Sequence, residues 1–298
     1  MVEDSTNRTY LVGGEVIRAR SFEPAIYLVA TPIGNLGDIT LRAIETLAGA
    51  DILACEDTRV TRILLERYGI SRRMFAYHEH NEQAAAQKLI DAVNEGKSVA
   101  LCSDAGTPLI SDPGYRLVST AREAGVKVVP LPGPSALLAA LSASGLPSDA
   151  FFFAGFLPNK ASQRKTRLDQ LAHIPGTLIF YESPRRLPQS LAAMAEVLGE
   201  SRRAVVAREL TKTFEEFRSA PLGELAAHYA EAESIRGEIV VCIEPPLQEE
   251  IAGEADIDRM LRDLAGQMST SKAAGEVAKM TGLQKADLYK RLLELKDD

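Results

Sequence analysis

Short apolar runs that each break into a turn-rich loop and resume as a helical pattern constrain this chain more than any other feature. Residues 25–30 form the first run, followed by Thr31-Pro32-Ile33-Gly34-Asn35-Leu36-Gly37-Asp38 and a helical pattern over 39–48. Runs at 52–55, 99–102 and 126–131 repeat the unit, with helical stretches at 61–68, 81–94 and 115–124 between them. Strands alternating with helices require a parallel sheet covered on both faces. From Phe151 the pattern changes to an aromatic strand, a basic polar stretch over 160–167 and strands at 177–181, 203–207 and 238–243, which predicts a second α/β domain with some antiparallel pairing. The expected fold is α/β: an N-terminal tail over 1–24, two α/β domains over 25–146 and 147–246, an acidic, proline-containing linker near 244–250, and a helical module over 251–298.

In that module, residues 271–280, the turn Thr281-Gly282-Leu283 and residues 284–296 have helix-turn-helix spacing, with apolar Ala274, Val277, Ala278, Leu283, Leu288, Leu292 and Leu293. Its second helix carries Lys285, Lys290 and Arg291, types that suit phosphate contacts. The same pattern also describes a helical hairpin with a solvated charged face.

Charge and composition narrow the function classes. With 34 basic and 41 acidic side chains the net charge is -7, which opposes a uniformly positive coat for duplex nucleic acid and leaves room for a local basic patch. The uncharged stretch over 128–146 is broken by Pro130, Pro132 and Pro134, so no membrane span is expected. Residues 1–24 carry Arg8, Arg18 and Arg20 without the apolar core of a secretory signal, and a cytoplasmic protein is expected. Cys55, Cys102 and Cys242 lie far apart, in or beside apolar runs, as core residues of a reducing compartment do. No cysteine pair has zinc-site spacing, and His78 with His80 is one close pair, so no metal is expected.

Three loops follow strands and combine glycine, proline and small hydroxyl residues, which permits close backbone approach to a ligand. They are Thr31 to Asp38; Ser103-Asp104-Ala105-Gly106-Thr107-Pro108, continuing through Ser111-Asp112-Pro113-Gly114; and Pro132-Gly133-Pro134-Ser135-Ala136. In an open parallel sheet ligands sit beyond the carboxyl ends of the strands. None of the loops matches the dinucleotide fingerprint or the phosphate loop, which disfavours a nicotinamide enzyme or an ordinary nucleotidase. Carboxylates follow apolar strands in Glu56-Asp57-Thr58-Arg59, Tyr181-Glu182-Ser183-Pro184-Arg185-Arg186 and Arg208-Glu209-Leu210-Thr211-Lys212. Each must be paired or used by a ligand, so Asp57 with Arg59 and Glu182 with Arg185 read equally as structural ion pairs. Between Asn159 and Arg186, Lys160, Arg164, Lys165, Arg167, Arg185 and Arg186 face two acids, Asp169 and Glu182, a local positive patch that can hold phosphates or lie solvated.

Taken in order, these loops resemble the tetrapyrrole methylase superfamily and, within it, the 16S ribosomal RNA cytidine 2′-O-methyltransferases. The resemblance also rests on His78-Glu79-His80-Asn81 and Gly155-Phe156-Leu157-Pro158, and covers nearly the whole chain. It implies two α/β domains with S-adenosylmethionine in the cleft between them, held by the segments containing Thr31, Pro32, Gly34, Asp104, Ala105, Gly106, Thr107, Ser135, Ala136, Tyr181, Gly237 and Glu238. It implies methyl transfer to a ribose hydroxyl, for which Asp57, Glu182 and His80, in that order, are the candidate proton acceptors. It also implies a homodimer acting on 16S ribosomal RNA or the small ribosomal subunit, with Arg59, Lys160, Arg164, Lys165, Arg185, Arg186, Lys285, Lys290 and Arg291 as RNA contacts. Two other readings keep the fold: a methylase of a tetrapyrrole ring, which needs neither basic segment, and a non-catalytic, RNA-binding sensor of S-adenosylmethionine.

Overall fold

The computed structural model describes residues 8–78, 82–246, 254–266, 268–281 and 283–297. The chain up to Pro245 makes one compact unit and the remainder a second.

Residues assigned above to a tail form a hairpin, β1 (Thr9–Val12) and β2 (Glu15–Arg18), paired antiparallel. It is fastened to the body: Leu11 N–H donates to the Tyr68 carbonyl, and Arg8 reaches Asp51 at 3.0 Å. The alternating units then appear as β3 (Ile26–Val29), α1 (Leu41–Gly49), β4 (Ile52–Cys55), α2 (Thr58–Arg67), β5 (Met74–Ala76), α3 (Glu82–Asn94), β6 (Val99–Cys102), α4 (Tyr115–Glu123), β7 (Val128–Leu131) and α5 (Ala136–Ser144). All five strands of this sheet are parallel, in the order β5-β4-β6-β3-β7. Side chains alternate across it as strand geometry demands. Tyr27, Val29, Leu53 and Cys55 pack under α1 and α2, whereas Ile26, Ala54, Val99 and Leu101 pack under α3 and α4. Both faces are thus dry, which is why the strands lack polar alternation. Strand β5 escaped the sequence reading because three residues at a sheet edge leave no periodicity to detect.

The second sheet contains β8 (Phe151–Phe156), β9 (Thr177–Glu182), β10 (Arg203–Arg208), β11 (Glu216–Pro221) and β12 (Ile239–Ile243), ordered β11-β10-β12-β9-β8. Only β8 and β9 run parallel; β12 pairs antiparallel with both β9 and β10, and β11 with β10. Helices α6 (Ala161–Leu171), α7 (Leu187–Leu198) and α8 (Leu222–Ala230) cover one face over Leu178, Phe180, Val206 and Val241. The other face, through Ile179, Val205, Val240 and Cys242, packs on Leu137, Ala140 and Leu141 of α5, a helix contributed by the first half of the chain. That contact joins the sheets into one unit. All three cysteines are buried, and burial pushes the Cys55 and Cys102 thiols up and that of Cys242 to about 12.

The described residues of the C-terminal unit form three helices, α9 (Glu254–Ala265), α10 (Thr270–Thr281) and α11 (Lys285–Asp297), around Ile257, Leu261, Ala273, Ala274, Val277, Leu288 and Leu292. Leu293, expected in this core, is 44% exposed because it lies one residue beyond the inward Leu288 and Leu292 stripe. Gly282 and residues 247–250 of the expected linker lie outside the described residues. Among the described residues no helix is long and apolar enough to cross a membrane, and no group of three or more His, Cys, Asp or Glu could hold a metal.

Candidate active site

The three loops singled out in the sequence meet at one edge of the first sheet and are bonded to one another. Thr31 and Gly106 exchange two backbone hydrogen bonds of 2.9 Å, the Thr31 hydroxyl donates to the Ser103 carbonyl at 3.0 Å, and the Thr107 hydroxyl donates to the Pro134 carbonyl at 3.1 Å. Gly106 holds φ 83°, a left-handed conformation in which a side chain is costly. Leu109 and Ser111, at φ 73° and 66°, adopt that region without being glycine, which costs on the order of 1–3 kcal/mol each and collects at functional sites.

Beneath these loops lies a cleft of about 430 Å³, within the range of small-molecule sites. Asp104, Ala105, Gly106, Thr107, Ser135 and Ala136 line it from the first sheet, and Tyr181, Glu182, Gly237 and Glu238 from the second. Thr31, Pro32 and Gly34 instead line an adjoining cavity of about 240 Å³. The cleft walls also include Asp112, from the second of the three loops though not among the expected cofactor contacts, and Phe156, Leu210 and Val240, which the sequence did not mark as lining. Asp112 had a legible signal, a carboxylate in a loop after a buried strand; the others are apolar residues that only the meeting of two sheets turns into a lining. Tyr181 stands edge-on to Phe153 and Phe156, with ring centroids 4.8 and 5.7 Å away, which fixes its ring against the cleft.

The three candidate proton acceptors fare differently. Asp57 caps α2 by accepting the Arg59 N–H at 2.8 Å, and its carboxylate is gripped by the Arg59 guanidinium; these bonds hold its pKa at about 2. An acid that strong is a poor base. Glu182 has a fully buried side chain that accepts from the Ser190 hydroxyl at 2.5 Å and the Ser183 N–H at 2.8 Å, with Arg186 Nε 3.3 Å away. Its bonds serve the β9–α7 turn, in a structural ion pair with Arg186 rather than with Arg185. His80 lies outside the described residues. Asp104 accepts the Asp57 backbone N–H at 2.9 Å through Oδ1, and burial, reinforced by the nearby Asp57 charge, raises its pKa. Burial raises Asp112 likewise, against a hydrogen bond from Ser103.

The expected RNA contacts also divide. Lys160, Arg185, Lys285 and Lys290 are exposed, as is Arg59 despite its bond to Asp57. Lys165 is exposed and paired with Glu196 at 2.6 Å. Arg164 is a correction: it is 6% exposed, with Nη1 on the Asn159 carbonyl, because the basic stretch is a helix that turns this position inward. Arg186 donates to the Leu157 carbonyl as well as facing Glu182. Arg291 makes a two-pronged bond to Asp258, with both distances 2.9 Å, which ties α11 to α9.

Comparison with known proteins accords with this architecture. Residues 25–226 match the family of tetrapyrrole (corrin/porphyrin) methylases, and residues 251–296 match the RsmI C-terminal HTH domain. The ribosomal RNA small subunit methyltransferase I of Mesorhizobium japonicum is 66% identical over 287 residues, covering 96% of this chain and 97% of its own; that of Escherichia coli O157:H7 is 52% identical, covering 90% and 94%. The crystal structure of uroporphyrin-III C-methyltransferase from Thermus thermophilus complexed with S-adenosylhomocysteine superposes with a TM-score of 0.52 at 19% identity, over 73% of this chain and 96% of its own, which shows the shared fold. The chain therefore belongs to the ribosomal RNA small subunit methyltransferase I family, built on the tetrapyrrole methylase fold.

Proposed function

We propose that this protein transfers a methyl group from S-adenosylmethionine to the 2′-hydroxyl of a cytidine in 16S ribosomal RNA. The observation that carries the reading is the cleft where the two sheets meet, in a chain so similar to small-subunit RNA methyltransferases. The residues present fit the donor: Ile33, Ala136, Leu210 and Val240 give apolar walls for a purine, and Asp112 offers a carboxylate to hydroxyl and ammonium groups. When bound, S-adenosylmethionine supplies a methyl group activated by the sulfonium charge. The chain's own part is to align and to take a proton. The bonds among Thr31, Ser103, Gly106 and Thr107 fix the loops, so alignment is set before the substrate arrives. Asp104, through the Oδ2 that Asp57 N–H leaves free of its bond, accepts the ribose hydroxyl proton, and its raised pKa makes it a better base than Asp57. Asp57 and Arg59 position that loop. The exposed cations of the basic stretch and of α11 hold neighbouring phosphates, and the protein works as a cytoplasmic homodimer on the small ribosomal subunit.

The test is labelled methyl transfer to small subunits lacking the modification, followed by mapping. Label on a ribose oxygen, reduced about 10²- to 10⁴-fold by Asp104→Asn with S-adenosylhomocysteine still bound, is expected. Because burial raises the Asp104 pKa, the acid limb of the rate profile should fall at a pH above the ordinary aspartate value of 3.8. Label on a base, or transfer to a tetrapyrrole alone, would overturn the reading.

A further inference from the structure

Transfer to a ribose needs somewhere to seat the attached base. The smaller cavity adjoins the cleft and shares Ile33, Asp104, Ala105 and Glu238 with it. One side is aliphatic: Val60 and Ile63 of α2 line it and are 41% and 61% exposed, while Leu64 and Leu65 of the same helix are buried in the core. Two apolar side chains facing solvent beside a reaction cleft suit a ligand's flat apolar face.

Another side is charged. Lys212 Nζ donates to Glu209 Oε1 at 2.7 Å and to Glu238 Oε2 at 3.0 Å, and an ammonium has a third proton to give. The loop that carries it is held in an unusual shape, with Glu209 at φ 53° and Thr211 at φ 66°. Thr211 Oγ1 accepts the Asn35 N–H at 3.1 Å, joining this loop to the one after β3. A Cβ on Gly34 would stand 2.5 Å from Lys212 Cγ, so glycine is what lets Lys212 lie across that loop.

We propose that the smaller cavity receives the cytosine base of the target nucleotide, flat against Val60 and Ile63, with Lys212 and Glu238 reading its edge. This rests on the RNA reading above. Enzymes that work on an extruded nucleotide stack the base on apolar side chains and read its pairing edge. Cytosine presents its N4 amino donor beside the N3 acceptor; a carboxylate accepts from the first and an ammonium donates to the second. Uracil in the same pose sets O4 against the carboxylate and N3–H against the ammonium, so both contacts become repulsive. The pose is fixed because the ribose must meet Asp104 on the shared wall. Lys212 is 29% exposed and Glu238 73%, so the less hydrated ammonium is the stronger reader.

The experiment compares methyl transfer by the full-length protein to small subunits carrying cytidine or uridine at the modified position, with S-adenosylhomocysteine affinity measured by calorimetry. The wild type should favour cytidine about tenfold or more, and Lys212→Met should cut that preference to about threefold or less. Ile63→Trp, at an exposed position outside the larger cleft, fills the cavity; it should raise the subunit KM about tenfold and leave the cofactor-product affinity within about twofold. An unchanged KM in Ile63→Trp overturns the pocket, and an unchanged preference in Lys212→Met overturns the reading role; both leave RNA methylation standing. Failure of the wild type to label either subunit overturns the RNA reading and the pocket with it.

Discussion

Asp57 and Asp104 are neighbours joined by one hydrogen bond, yet their surroundings drive their carboxyl groups in opposite directions. Hydrogen bonds from the Arg59 side chain and backbone hold Asp57 at about 2, whereas burial raises Asp104. Carbon-13 carboxyl titration should show Asp57 ionised almost to pH 2, and Arg59→Ala should return it toward 3.8. A folded-state pKa below the unfolded one adds stability that is complete above about pH 4 and is lost as pH falls from there toward 2. Arg59→Ala should therefore narrow the difference in stability between neutral and acid pH; an Asp57 midpoint unmoved by the substitution would refute the pairing. The sequence showed that a carboxylate after a buried strand needs a partner. It could not show that Asp57 and Glu182 find theirs within the fold, because both readings have the same sequence.

At the scale of elements, helices decided which charges stay available. The stretch over 160–167 reads as uniformly basic, but as α6 it buries Arg164 with Leu168 and Leu171 and leaves Lys160 and Lys165 outside. In α11 the same geometry assigns Arg291 to Asp258 and leaves Lys285 and Lys290 exposed. Lys285→Ala with Lys290→Ala should therefore weaken binding to the subunit and lower the slope of log affinity against log salt by about 1.5, sparing cofactor affinity. An unaltered slope would remove α11 from the interface. The helix-turn-helix pattern was readable from apolar spacing. The Asp258 of α9 that captures Arg291 was not, because an ion pair 33 residues apart leaves no local trace.

For the molecule up to Pro245, α5 follows β7 of the first sheet and packs on the face of the second. Leu141 is 5% exposed in the cluster that joins it to β9, β10 and β12. Leu141→Ala should cost about 2–5 kcal/mol in urea unfolding, and amide exchange should accelerate in both sheets together. Loss of protection confined to the second sheet would show that the halves unfold separately. By itself the sequence determined the parallel first sheet, the change of pattern after Phe151, the helical C-terminal module and the three loops of the cleft, because burial on both faces and turn chemistry are written in local composition. Tertiary structure alone decided that residues 8–24 contribute a hairpin docked on the body, that Thr31, Pro32 and Gly34 face a second cavity, and that burial raises the Asp104 carboxyl while hydrogen bonds lower that of Asp57. Those outcomes depend on which residues distant in the chain come within a few ångströms, and neither desolvation nor ion pairing exists until they do.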